Sequence, residues 1–79
     1  MDRLEILETL KQIVREKLNY KGELQEGTEF LKDLNADSLD LLSIVMAVED
    51  TFKIRIPDED LPQLRTLGDA LEYVLKKKA

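Results

Sequence analysis

Ser38, in Asp37-Ser38-Leu39-Asp40, is the residue best placed to do chemistry in this 79-residue chain. Its hydroxyl could be a nucleophile or an attachment point. The chain, however, has no histidine to serve as its base and no cysteine to serve as thiol or soft metal ligand. Those absences count against a self-contained hydrolase, redox protein or metalloenzyme. The carboxylates offer no substitute. Asp58 and Asp60 alternate along a short helix and point to different faces. Asp33, Asp37 and Asp40 fit no EF-hand spacing, so weak, nonspecific divalent binding is the most they predict. No catalytic residue and no dedicated metal site are expected.

A serine at a helix start is ordinarily a cap. Here Asp37 can cap instead, with Asp40 three residues on, which puts Ser38 at the first helical position with its hydroxyl outward. A phosphodiester on that hydroxyl would meet free backbone N–H groups and the positive end of the helix. The residues permit such a modification without demanding it.

The elements that must position Ser38 are helices. From Asp2 to Leu18, Leu4, Leu7, Leu10, Val14 and Leu18 recur at helical spacing, with Ile6 and Ile13 beside them. Asn19 to Thr28, with Gly22 and Gly27, reads as a loop, and Phe30, Leu31 and Leu34 should pin the connection to the core. A second helix should begin at Asp37-Ser38 and end near Phe52. Pro57 and Asp58 restart the chain as a short third helix to about Leu64, capped by Asp58 and kept tight by Pro62. Thr66 and Asp69 form a capping-box pattern for a fourth helix. Leu67, Ala70, Leu71, Val74 and Leu75 face inward on it, and Lys76-Lys77-Lys78 lies at its negative end. The expected fold is all-α and a single domain over residues 1–79: a small four-helix bundle with three longer helices, one short third helix and a long first loop.

The second helix is greasier than such a core requires. Leu41, Ile44, Val45, Val48 and Phe52 make one stripe; Leu39, Leu42 and Met46 make another, rotated from the first. The second stripe is either an exposed contact surface edged by Asp37, Asp40, Glu49 and Asp50, or is covered by the loop and the third helix. Of the net charge of −5, the middle of the chain holds the most: residues 33–60 carry eight acidic and two basic side chains. That field repels nucleic acid and draws basic patches on protein partners. No apolar run approaches the roughly 20 residues of a membrane span, and the start is amphipathic rather than signal-like. A soluble, cytoplasmic monomer without membrane insertion is expected.

The segment from Phe30 to Asp40, Phe-Leu-Lys-Asp-Leu-Asn-Ala-Asp-Ser-Leu-Asp, resembles the one by which acyl carrier proteins are recognised. Their usual wording is Leu-Gly-Ala-Asp-Ser-Leu-Asp, and Asn35 stands for the glycine. The similarity continues through Ile44 to Glu49, Phe52 and Ile56 to Asp60, and runs from Thr28 to Val74 without an evident gap. The resemblance implies that Ser38 receives phosphopantetheine from coenzyme A through a phosphopantetheinyl transferase, which reads Asp37, Leu39 and Asp40 around it. The thiol of the arm would supply the sulfur that the chain lacks. It further implies that Leu42, Met46, Glu49 and Asp50, with Asp40, contact partner enzymes, which would be acyl-transfer and fatty-acid-synthesis enzymes with basic docking patches. Phe30, Leu34, Ile44, Val48, Phe52, Ile56 and Leu64 match core positions, some of them lining an acyl cleft.

Two departures matter. Asparagine is the side chain that best tolerates positive φ, so Asn35 leaves the fold intact if that conformation is required. Ser43 replaces an acidic residue common on the partner-facing helix of fatty-acid carriers. Three readings follow: a fatty-acid carrier, a specialised carrier for a polyketide, lipid or aminoacyl pathway, or an unmodified helical adaptor in which Ser38 is only a cap.

Overall fold

The structure, a computed structural model, describes residues 2–78. It contains α1 (Arg3–Leu18), α2 (Ser38–Phe52), a short 3₁₀ helix (Asp58–Gln63) and α3 (Leu67–Lys78). The all-α bundle with a short third helix and a long first connection is therefore as expected. α1 packs against both α2 and α3.

Each start has a chemical cause. Asp2 caps α1 by accepting the Glu5 N–H at 2.8 Å. Asp37 and Asp40 form a reciprocal capping box at α2: Asp40 N–H donates to Asp37 at 2.9 Å and Asp37 N–H donates to Asp40 at 3.2 Å. At α3, Asp69 N–H donates to the Thr66 hydroxyl and Thr66 N–H to the Asp69 carboxylate, both at 3.0 Å. The 3₁₀ helix differs from expectation. Asp58 is its first residue, not its cap, and no side-chain cap bond forms. Asn19 and Lys53 end α1 and α2 in the left-handed conformation.

The core corrects the sequence reading at three places. On α1 the buried stripe is Ile6, Leu10, Ile13 and Val14, while Leu4 is exposed and Leu7 and Leu18 lie at the edge. A helix with apolar residues on neighbouring rows can be turned either way, and the packing of α2 and α3 decides it. In the long connection Leu24, Phe30 and Ala36 are buried, with Leu34 packed on the core, but Leu31 is 61% exposed and pins nothing. Tyr73, absent from the expected inward face of α3, is buried there.

Backbone bonds hold that connection against the start of α3. Phe30 N–H donates to the Arg65 carbonyl at 3.0 Å, Leu67 N–H to Thr28 at 2.9 Å and Gly68 N–H to Glu26 at 2.7 Å. Asn35 then turns the chain into α2 with φ of 55°, the conformation that asparagine tolerates and that the glycine-to-asparagine departure would otherwise have put at risk. The stitched loop and this turn fix where Ser38 emerges.

Candidate functional site

Ser38 is the first residue of α2 and is exposed. A helix start leaves four N–H groups without intrahelical acceptors. The capping box takes those of Asp37 and Asp40, leaving those of Ser38 and Leu39 outside it. Ser38 is thus spared from capping, and its hydroxyl stands at the positive end of a 15-residue helix. These features fit a phosphodiester: the Ser38 oxygen would carry it, and the Ser38 and Leu39 N–H groups would hold its charge.

The second stripe of α2 is open. Leu39, Leu42 and Met46 are 74%, 50% and 59% exposed, so neither the loop nor the 3₁₀ helix covers them. Asp37 and Asp50 beside them are exposed, and Asp40 is half-buried in its box. Glu49 is also half-buried, and its Oε2 accepts the Ile56 N–H at 2.8 Å, a structural tie that spacing could not reveal. Among the described residues, ion pairs join Arg3 to Glu26 and Glu72, Lys11 to Glu8 and Arg65 to Glu29; none engages Asp37, Asp40, Glu49 or Asp50. These carboxylates therefore face solvent or backbone N–H groups rather than a paired cation.

A small apolar cavity of about 20 Å³ lies between α2 and α3, closed off by Phe30 and by Ile56 and Leu64, which flank the 3₁₀ helix. Five of the seven residues expected at a cleft line it: Phe30, Ile44, Val48, Ile56 and Leu64. Phe52 instead fills the core, and Leu34 packs at its edge. A space of this size holds roughly one water, so a chain of several carbons enters only if its walls move. Outside it, a groove of about 310 Å³ runs from Ser38 past Leu42 and Leu61. Leu41, Val45 and Leu64 line both spaces, which makes them the partition between the groove and the cavity.

Tyr73 is the lining residue that periodicity missed. It lies beside the Leu67, Ala70, Leu71, Val74 face, and the signal available was a buried phenol in need of a partner. Its hydroxyl donates to Asp60 Oδ2 at 2.6 Å, and Lys77 Nζ lies 5.5 Å from its ring centroid. Burial first, then the bond to Asp60 and the charge beside it, push the phenol up to about 12 from the ordinary 10.0. The fold thus favours the neutral form. Its stabilising contribution is complete below the unfolded value of 10.0 and is lost as pH rises through about 12. The urea midpoint of the wild type should exceed that of Tyr73→Phe below that window and converge on it across the window. A gap that stays constant throughout would mean that the phenol is not held as described.

Comparison with known proteins gives a consistent result. The family model described as "Phosphopantetheine attachment site" matches residues 8–74. An acyl carrier protein of Wolinella succinogenes is 42% identical over 74 residues, covering 92% of this chain and 97% of that one. Among solved structures, a candidate acyl carrier protein of Anaplasma phagocytophilum superposes with a TM-score of 0.87 at 33% identity, covering 95% of this chain and 90% of that one. Another, from Mycobacterium tuberculosis, gives 0.86 at 25% identity, covering 90% and 96%. The chain belongs to the acyl carrier protein family and is a carrier with a covalently attached phosphopantetheine, not a catalyst.

Proposed function

We propose that the phosphopantetheine is attached at Ser38 and that the protein delivers acyl groups to the enzymes of fatty-acid synthesis. The observation that carries this reading is the placement of Ser38: exposed, released from capping by Asp37, and at the head of the groove that leads over Leu41, Val45 and Leu64 to the apolar cavity. The arm supplies a thiol that holds the acyl group as a thioester. The protein's own residues do the rest. Asp37, Leu39 and Asp40 present the serine to a phosphopantetheinyl transferase. Leu42 and Met46 give a partner an apolar strip, and Asp40, Glu49 and Asp50 draw its basic rim. Phe30, Ile44, Val48, Ile56 and Leu64 shelter an apolar cargo, at about 0.8 kcal/mol per buried CH₂.

Ser43 favours a second reading. It is exposed on the same helix, where an acidic side chain would strengthen docking to basic partners, so a specialised carrier is the alternative. The two separate in one assay. Once the arm is installed by coenzyme A and a broad-range transferase, a malonyltransferase of fatty-acid synthesis should load the protein from malonyl-coenzyme A, and the rate should fall steeply with salt. Complete arm attachment with no malonyl transfer would favour the specialised carrier.

A further inference from the structure

The 3₁₀ helix is the least secured element of the fold. None of its six residues is buried, and its apolar contacts with the core are through the half-buried Leu61 and, just beyond its end, Leu64. The chain on either side is fixed. Before it, Ile56 N–H donates to Glu49; after it, Arg65 and Thr66 N–H groups donate to Asp69 at 3.1 and 3.0 Å, and the Arg65 carbonyl accepts from Phe30. Pro57 and Pro62 stiffen the piece between these anchors, so it is built to move as a unit. Among the described residues, one side-chain hydrogen bond joins that piece to another helix: Tyr73 to Asp60, at 2.6 Å and partly buried. Tyr73 and Leu64 also both line the cavity.

We propose that Tyr73 and Asp60 form a latch that holds the 3₁₀ helix against α3 and, through Leu64 at its end, sets how readily the adjoining cavity opens. At about 20 Å³ the cavity admits roughly one water, so its walls must part before a chain of several carbons can enter. With the latch made, Leu61 stays packed along the groove and Leu64 stays seated between the groove and the cavity. With it broken, only their half-buried contacts resist lifting. The consequence for cargo rests on the reading that this cavity shelters the acyl chain; the latch itself does not.

Amide hydrogen exchange on the full chain, without cargo, tests the latch directly. The reporters are Asp60 N–H, bonded to the Pro57 carbonyl at 2.9 Å, and Leu64 N–H, bonded to Leu61 at 3.0 Å. Tyr73→Phe keeps the ring and removes the donor; Asp60→Ala removes the acceptor at a half-exposed site. Each should speed exchange at these reporters about tenfold while α1 is unchanged, and the double variant should add nothing further. Unchanged exchange, or additive effects in the double variant, would overturn the latch. With an octanoyl thioester on the arm, both single variants should also be cleaved faster by hydroxylamine. Faster exchange without faster cleavage would uphold the latch and sink the reading of the cavity as the cargo site.

Discussion

Replacing Ser38 by alanine is expected to abolish phosphopantetheine loading while leaving the fold unchanged. The arm is joined through a phosphodiester, and alanine has no oxygen to form one. Ordinarily the loss of a serine at a helix start costs about 1 kcal/mol, because the cap goes with it. Here the cap is Asp37, whose carboxylate holds the Asp40 N–H at 2.9 Å. Ser38 is exposed and outside the box, so its removal should change stability by no more than about 0.5 kcal/mol. The circular dichroism spectrum and urea midpoint should match those of the wild type, and the intact mass after incubation with coenzyme A and a transferase should show no gain. Ser43→Ala removes the other serine of the chain and should load normally. Loss of loading together with loss of structure would point to a capping role for Ser38 that the geometry denies.

The second large effect is on stability. Phe52→Ala should cost about 3–5 kcal/mol, the range for deleting a buried aromatic ring. Phe52 is 2% exposed and among the largest fully enclosed side chains, and its carbonyl accepts a bond from Lys78 Nζ at 3.1 Å that ties the ends of α2 and α3 together. For a chain of 79 residues the whole unfolding free energy is of order 4–12 kcal/mol. The variant should therefore lose a quarter of its stability or more and unfold at lower urea than the wild type. Tyr73→Phe, which deletes a single oxygen, should cost far less. A Phe52→Ala unfolding free energy within about 1 kcal/mol of the wild type would contradict the placement of this ring in the core rather than in a yielding cleft.

Much of the fold was legible because its punctuation is local. Asp37 with Asp40, Thr66 with Asp69, and Pro57 before Asp58 each fix a helix start within a few residues of sequence. The exposed strip of Leu39, Leu42 and Met46 was visible as surplus apolar residues, although pattern alone could not say whether something covered them. What escaped depends on contacts between distant segments. Whether Leu4 or Ile6 faces inward on α1 is settled by where α2 and α3 lie. Leu24 and not Leu31 anchors the first connection because an irregular loop has no period to read. Tyr73 finds Asp60 across 13 positions, and Glu49, read as a partner contact, turns back to Ile56. Ser38, the proposed attachment site, stood out for a different reason: the short stretch around it is both a capping box and the segment that resembles the family's.

The most direct test of the account is to locate the arm. The wild-type protein is loaded with coenzyme A and a phosphopantetheinyl transferase, digested, and fragmented by tandem mass spectrometry. One phosphopantetheine on the peptide containing Asp37-Ser38-Leu39, with fragments that assign it to Ser38, is the predicted result. An arm on Ser43 or on a threonine would contradict it, since the claim is that Asp37 takes over the capping and so leaves the Ser38 hydroxyl free to be modified.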